Sequence, residues 1–393
     1  MSKPHCMHPR GLELRKFVAP ELIFGVGALH LAGQYGRNLG GSKALVVSDP
    51  GVFAAGWVQQ VLASIEGAGL ESTLFTGVTP NPRIDEVAAG AVVYAEQHCD
   101  VIIAVGGGSP TDCAKCIGLL VANPGGIRDL VGVDNVGAPM PPTICIPTTG
   151  GTFADVSQFA VLKDREINRS LLIVSKAVVS DISLIDPATL TTMDAFLTAC
   201  TGMDALVHAV EAYVSLGHSP LTDVHALHAI RLISSNLEKS IAEPNNLEYR
   251  NNMMLASLEA GLAFSNASLG AVHAMAHSLS GLLDLTHGQC NSMLLDGVVY
   301  FNYGQAEERY RDIATTMGIE VGGMPSSEIR NRLVVELRRL RETAGLRDTL
   351  SRFGVHRTEV HELAENALDD PCVVTNPRRP CRRDIEVIYE ESL

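Results

Sequence analysis

A chain of 393 residues exceeds the roughly 250 to 300 at which a single hydrophobic core stops growing, so two domains are expected. Its 46% apolar and 19% charged residues exclude a disordered chain, and a formal net charge of −14 without a long Lys/Arg run excludes non-specific nucleic-acid binding. The amino-terminal MSKPHCMHPRGLELRKF lacks the apolar stretch of a secretory signal, no later run approaches the ~20 residues that span a bilayer, and nine scattered cysteines do not make a disulfide framework; a cytoplasmic protein with small-molecule partners is expected.

The first elements alternate between β-rich runs and helical stretches. Ala44–Val47, Val101–Val105, Thr143–Ile146 and Leu171–Val174 are apolar runs bounded by Gly, Pro or Asp, and they predict strands buried on both faces of a parallel sheet. Ligands of such sheets lie beyond the carboxyl ends of the strands. Asp49 follows the first run, where a carboxylate can accept hydrogen bonds from ribose hydroxyls and repel a 2′-phosphate, favouring NAD over NADP; a solvated turn aspartate is the alternative. After the second run come Gly106, Gly107, Gly108, Ser109 and, three residues on, Asp112, then a helical stretch. Three glycines allow the backbone close to a pyrophosphate, and the helix amino terminus presents free N–H groups to it. Gly25-Val26-Gly27 is an incomplete dinucleotide fingerprint, because His30 stands where a third glycine belongs. Cys113 and Cys116 lack a second pair, and His5, Cys6 and His8 lie on a terminus expected to fray.

From about Met193 onward proline is sparse and apolar residues recur at helical spacing, as in Leu206, Val210 and Tyr213, so this half is expected to be a helical bundle. Asp204 and His208 are four residues apart, which puts both on one helix face. His273 and His277 repeat the spacing, and His287 follows beside Gly288, which can mark a helix end or a close backbone approach. One carboxylate and up to four imidazoles suit zinc or ferrous iron and not calcium. His225 and His228 share another helix face, where surface or core placement is expected. Arg330–Leu346 is expected to be an exposed helix, and Thr375–Arg378 a turn before a last short one.

Three segments, GMDALVHAVEAYVS at 202–215, HAMAHSLSG at 273–281 and THG at 286–288, resemble the iron-containing, or group III, alcohol dehydrogenases, and the likeness runs from FGVGAL to TNPR. The resemblance implies a dehydroquinate synthase-like architecture: a Rossmann-like α/β domain at 1–187, then an all-α metal-binding domain at 188–393. It implies Asp204, His208, His273 and His287 as ligands of a divalent ion, iron(II) ahead of zinc, and His277 as the residue that orients substrate or passes a proton. It places NAD on Asp49, Asn81, the Gly106–Ser109 loop, Asp112, Thr148 and Thr149. The activity implied is NAD-dependent reversible oxidation of a primary alcohol or diol to the aldehyde, in a homo-oligomer. Glycerol dehydrogenase-type polyol oxidation, and a weakly active metal- and NAD-binding sensor, stay open. Two departures bear on activity. Phe153-Ala154-Asp155 replaces the small pair and glutamate of many relatives, and Ser170 stands where lysine is common, leaving Arg169 as the nearest cation in sequence.

Overall fold

The computed structural model describes residues 14–167, 169–283 and 285–393, so His5, Cys6 and His8 lie outside the described residues. In chain order the strands are β1 (Glu21–Phe24), β2 (Lys43–Val47), β3 (Glu71–Phe75), β4 (Val101–Gly106), β5 (Gly132–Val133), β6 (Thr143–Pro147), β7 (Phe159–Asp164), β8 (Arg169–Val174) and β9 (Ile182–Ile185). The helices of this half are α1 (Ala32–Asn38), α2 (Pro50–Ala54), α3 (Trp57–Gly67), α4 (Ile84–Glu96) and α5 (Gly108–Ala122).

Six strands form a parallel sheet in the order β1-β9-β6-β4-β2-β3. Alternation along its central strands feeds two cores. Ala44, Val46, Val101, Ile103 and Val105 pack with Val58, Val61 and Ile65 of α3, whereas Leu45, Val47, Ile102 and Ala104 pack with Val87 of α4 and Ile117 of α5. Every residue of β4 is buried, as a strand covered by helices on both faces must be.

The run 171–174 differs from expectation. It belongs to β8, which pairs antiparallel with β7 and parallel with the short β5 in a separate three-stranded sheet. The reason is connectivity: only a short turn separates β7 from β8, too little chain for the crossover that a parallel neighbour requires. Strands β1 and β3 hold only exposed and half-buried residues, and as sheet edges they lack the continuous apolar runs that mark the central strands.

Beyond β9 the described chain is helical. It holds α6 (Ala195–Val214), α7 (Pro220–Ala242), α8 (Leu247–Ala267), α9 (Ala271–Leu282), α10 (His287–Asn302), α11 (Glu307–Thr316), α12 (Ser326–Thr343), α13 (Val360–Leu368) and α14 (Arg382–Ser392). Starts are set by side chains: Asp194 accepts from Leu197 N to cap α6, Ser219 caps α7 with Pro220 in first position, and Asn246 caps α8. Helix α6 is buried along nearly its whole length, and its centre carries Asp204 and His208. The basic helix α12 turns Ile329, Leu333, Leu337 and Leu340 inward, while Arg332, Arg338 and Arg339 pair with surface carboxylates. No helix among the described residues is long and apolar enough to cross a membrane.

Candidate metal and nucleotide site

A cleft of about 920 Å³ runs from the carboxyl ends of β2, β4 and β6 to the helices α6, α9 and α10. At its helical end Asp204, His208 and His273 bring ligand atoms within 4.8 Å of one another, all three buried. His287, first residue of α10, places Nε2 3.9 Å from Asp204 Oδ1, and His273 Nε2 stands 4.0 Å from the same oxygen. Gly288 is what lets α10 come so near: a Cβ there would overlap the carbonyl oxygen of Cys200 on α6. Spacing alone put two residues on α6 and two on α9; the quartet exists because α10 brings His287 to them.

The polar atoms at this end fit a cation. Glu211 Oε2 meets His273 Nδ1 at 2.6 Å, and a carboxylate there makes Nδ1 the donor and Nε2 the lone pair. His208 Nδ1 is buried without a hydrogen-bond partner and lies 3.9 Å from Asp204 Oδ2. The amide Nδ2 of Asn291 is the donor at the centre, 2.7 Å from Asp204 Oδ1, 3.2 Å from His273 Nε2 and 3.1 Å from His287 Nε2. One amide group cannot satisfy that many inward-facing lone pairs, and a divalent ion can. Burial lowers His208 to about 4 and His287 to about 3, and pushes His273 well below the imidazole range, so these rings are neutral and ready to ligate at pH 7.

His277 is treated differently by its surroundings. Burial works against its charged form, but the charge of Asp370 and its hydrogen bond at 2.8 Å to Nδ1 outweigh this and raise the imidazole pKa. Asp370 is itself oriented by Cys372 N at 2.8 Å. With Nδ1 engaged, Nε2 is the nitrogen left to exchange a proton.

At the sheet end, Asp49, Asn81, Gly107, Gly108, Ser109, Asp112, Thr148 and Thr149 all line the cleft. Gly106 does not: it closes β4, and its part is the turn into α5. A Cβ on Gly107 or Gly108 would press on Thr149 or Thr152 at 2.9 Å, so the loop lies as bare backbone at the start of a 15-residue helix, the cradle a phosphate needs. Asp49 also caps α2, accepting from Val52 N at 2.9 Å. Asn81 N donates to Ser109 Oγ at 3.3 Å, tying the 79–82 turn to the glycine loop. Asp112 Oδ2 accepts from Val161 N, its Oδ1 is buried without a partner, and burial pushes the carboxyl up to about 7.

The unusual 153–155 segment is absorbed away from the cleft. Phe153, at φ 38°, is buried against Gly261 of α8, and Asp155 is buried on Ser183; of the three only Ala154 lines the cavity. Lys115, fully buried in α5, donates to the carbonyls of Ala154, Ser157 and Phe159 and so pins this loop. Cys113 and Cys116 are free thiols inside α5. His225 and His228, partly exposed, share the carboxylate of Glu259.

Residues that sequence reading passed over now stand beside the candidate ligands. Glu211 lies three after His208 and Asn291 four after His287, the same helical spacing that singled out the histidines, so a search for any polar residue at that spacing would have found both. Asp370 carries no such local signal, since it is 93 residues from its partner His277.

Both halves of the chain are similar to known proteins. Residues 19–187 match the profile "Iron-containing alcohol dehydrogenase", and residues 198–393 match "Fe-containing alcohol dehydrogenase family, C-terminal". The chain is 40% identical to 1,3-propanediol dehydrogenase of Klebsiella pneumoniae, over 94% of this chain and 96% of that protein. It is 35% identical to NAD-dependent methanol dehydrogenase of Bacillus methanolicus, over 96% and 99% of the two chains. Its fold superposes on a crystal structure of 1,3-propanediol oxidoreductase with TM-score 0.94 and 38% identity, covering 97% of this chain and all of the other. With both halves matched and a helical end that gathers one carboxylate and three imidazoles, the chain belongs to the iron-containing alcohol dehydrogenase family.

Proposed function

We propose that this chain reversibly oxidises a small primary alcohol or diol to the aldehyde, with NAD on residues 1–187 and a divalent ion, iron(II) ahead of zinc, held within 188–393 by Asp204, His208, His273 and His287. The observation that carries the reading is that one cleft joins a bare glycine loop at a helix amino terminus to four converging, donor-poor ligand atoms. When bound, the ion supplies Lewis acidity toward a hydroxyl oxygen and the nicotinamide accepts the hydride.

The protein's own residues do the rest. The Gly107–Ser109 loop and Thr148–Thr149 receive the dinucleotide, and Asp49 meets its ribose hydroxyls and disfavours a 2′-phosphate. Phe264, stacked on His208 with ring centroids 4.2 Å apart, forms with Leu172 and Leu285 an apolar wall that excludes water around the reacting carbon. That wall offers no hydrogen bonds to extra hydroxyls, which favours simple alcohols and short diols over the polyol alternative. His277, held on Asp370, takes the released proton at Nε2. The names of the relatives, 1,3-propanediol and methanol dehydrogenases, are in keeping with this substrate class. We read the working form as a cytoplasmic homo-oligomer.

The test is steady-state NADH formation by protein purified anaerobically with ferrous iron, across methanol, ethanol, 1,3-propanediol and glycerol, beside metal analysis. Turnover on a short alcohol or diol is expected. Metal-replete protein that binds NADH but turns over none of them would replace this reading with the sensor alternative.

A further inference from the structure

The geometry points to Lys163 as the cation that holds the negatively charged pyrophosphate of the bound dinucleotide, supplied from β7 across the strand pair from Ser170. This rests on the proposed NAD-dependent function.

The cleft is acidic before any ligand enters. Asp49, Asp112, Asp194 and Asp204 line it, in a chain of net charge −14, while Lys163 is the single lysine or arginine among its described lining residues. A glycine loop and helix dipole offer only partial charge to a dianionic pyrophosphate, so a full positive charge within reach has a large effect there.

The placement of Lys163 is built by the fold. In the β7–β8 ladder Lys163 stands directly opposite Ser170, and Val161 opposite Leu172, so all four side chains face the same side. All four line the cleft, which makes this face of the hairpin one of its walls. The wall is graded. Its inner end, Phe159, packs against Phe264 near His208, with ring centroids 5.7 Å apart. Lys163 lies at the outer end, where its backbone N–H donates to Pro82 O at 2.8 Å and a bridge pairs it with Arg83. Pro82 follows Asn81, whose N–H is on Ser109 of the glycine loop. The lysine stem therefore starts beside the turn that is tied to the phosphate cradle. Ser170 Oγ in turn donates to the carbonyl of His277 at 3.3 Å. A small residue at 170 suits that contact and leaves the wall open for the longer side chain opposite. Arg169, the nearest cation in sequence, is exposed and does not line the cleft.

The experiment titrates NADH fluorescence in full-length, metal-replete protein. Three proteins are compared: the wild type, Lys163→Met, and the double variant Lys163→Ser with Ser170→Lys, which moves the amine across the ladder by the ~5 Å between facing Cβ atoms. Loss of one charge-assisted contact predicts NADH affinity about tenfold weaker in Lys163→Met, with bound metal and the KM for alcohol unchanged. The relocated lysine is expected to recover affinity to within about threefold of the wild type. Lys163→Met binding NADH within twofold of the wild type overturns the proposal. So does a folded double variant that keeps the tenfold deficit, since packing and not charge would then account for the loss. Wild-type protein that binds no NADH is a separate result, which overturns the proposed function itself.

Discussion

The two ends of the cleft are made of different materials. The helical end is built from side chains: Asp204, His208, His273 and His287 come from three helices and are backed by Glu211 and Asn291, the first three buried and His287 partly open to the cleft. The sheet end is built mainly from backbone, with glycine N–H groups, a helix amino terminus and a few hydroxyls at strand ends, to which Asp49, Asp112 and Lys163 add ionisable side chains. A ligand held by side chains depends on the identity of each residue, whereas one held by backbone depends on shape and on the absence of a Cβ. Changes at the first end should therefore abolish metal and rate together, and changes at the second should weaken the dinucleotide and spare the metal.

The largest expected effect is that of Asp204→Ala, which removes the only carboxylate of the quartet. Metal content after dialysis should fall close to zero and kcat/KM by about a thousandfold, with NADH binding retained. A variant that keeps its metal would break the contrast at once. Stripping the ion from the wild type with a chelator should have the same signature, together with a fall in melting temperature that returned iron or zinc reverses, since ligands that bind only the folded state stabilise it.

Glu211→Gln comes next. It keeps the volume but weakens the fixing of His273 Nδ1, and metal affinity measured by chelator competition should drop about 10- to 100-fold. Unchanged affinity would mean that Glu211 serves packing alone. At the other end, Gly107→Val drives a branched side chain into Thr149, and NADH affinity should weaken about tenfold while metal content stays at the wild-type level. The smallest effect is expected for Asp49→Ala: about threefold weaker NADH binding with a relative gain for NADPH, read from paired titrations.

Much of the helical end was legible because its chemistry is local. Four-residue spacing on a helix puts Asp204 with His208 and His273 with His277, and no tertiary knowledge is needed to see either pair. The glycine loop after β4 was legible for a similar reason, since a buried strand followed by three glycines and a helix is one short segment. The edge strands β1 and β3 left no continuous apolar run to find, and β8 showed the right run in the wrong sheet. Asp370 and Lys163 could not be found from spacing, because their significance lies in what they face.

Periodicity and local motifs thus specified an alternating α/β half, a helical half, the two same-face pairs and the glycine loop after β4, all of which follow from short-range backbone geometry. Tertiary packing alone decided the rest. It brought α10 against α6 at Gly288 to complete the quartet, set Glu211 behind His273 and Asp370 behind His277, turned Phe153 into the core, and seated Lys163 of the β7–β8 hairpin beside Pro82 on the cleft wall. Contacts between residues tens to hundreds of positions apart depend on how whole elements pack and pair, and the sequence around either partner carries no local mark of that pairing.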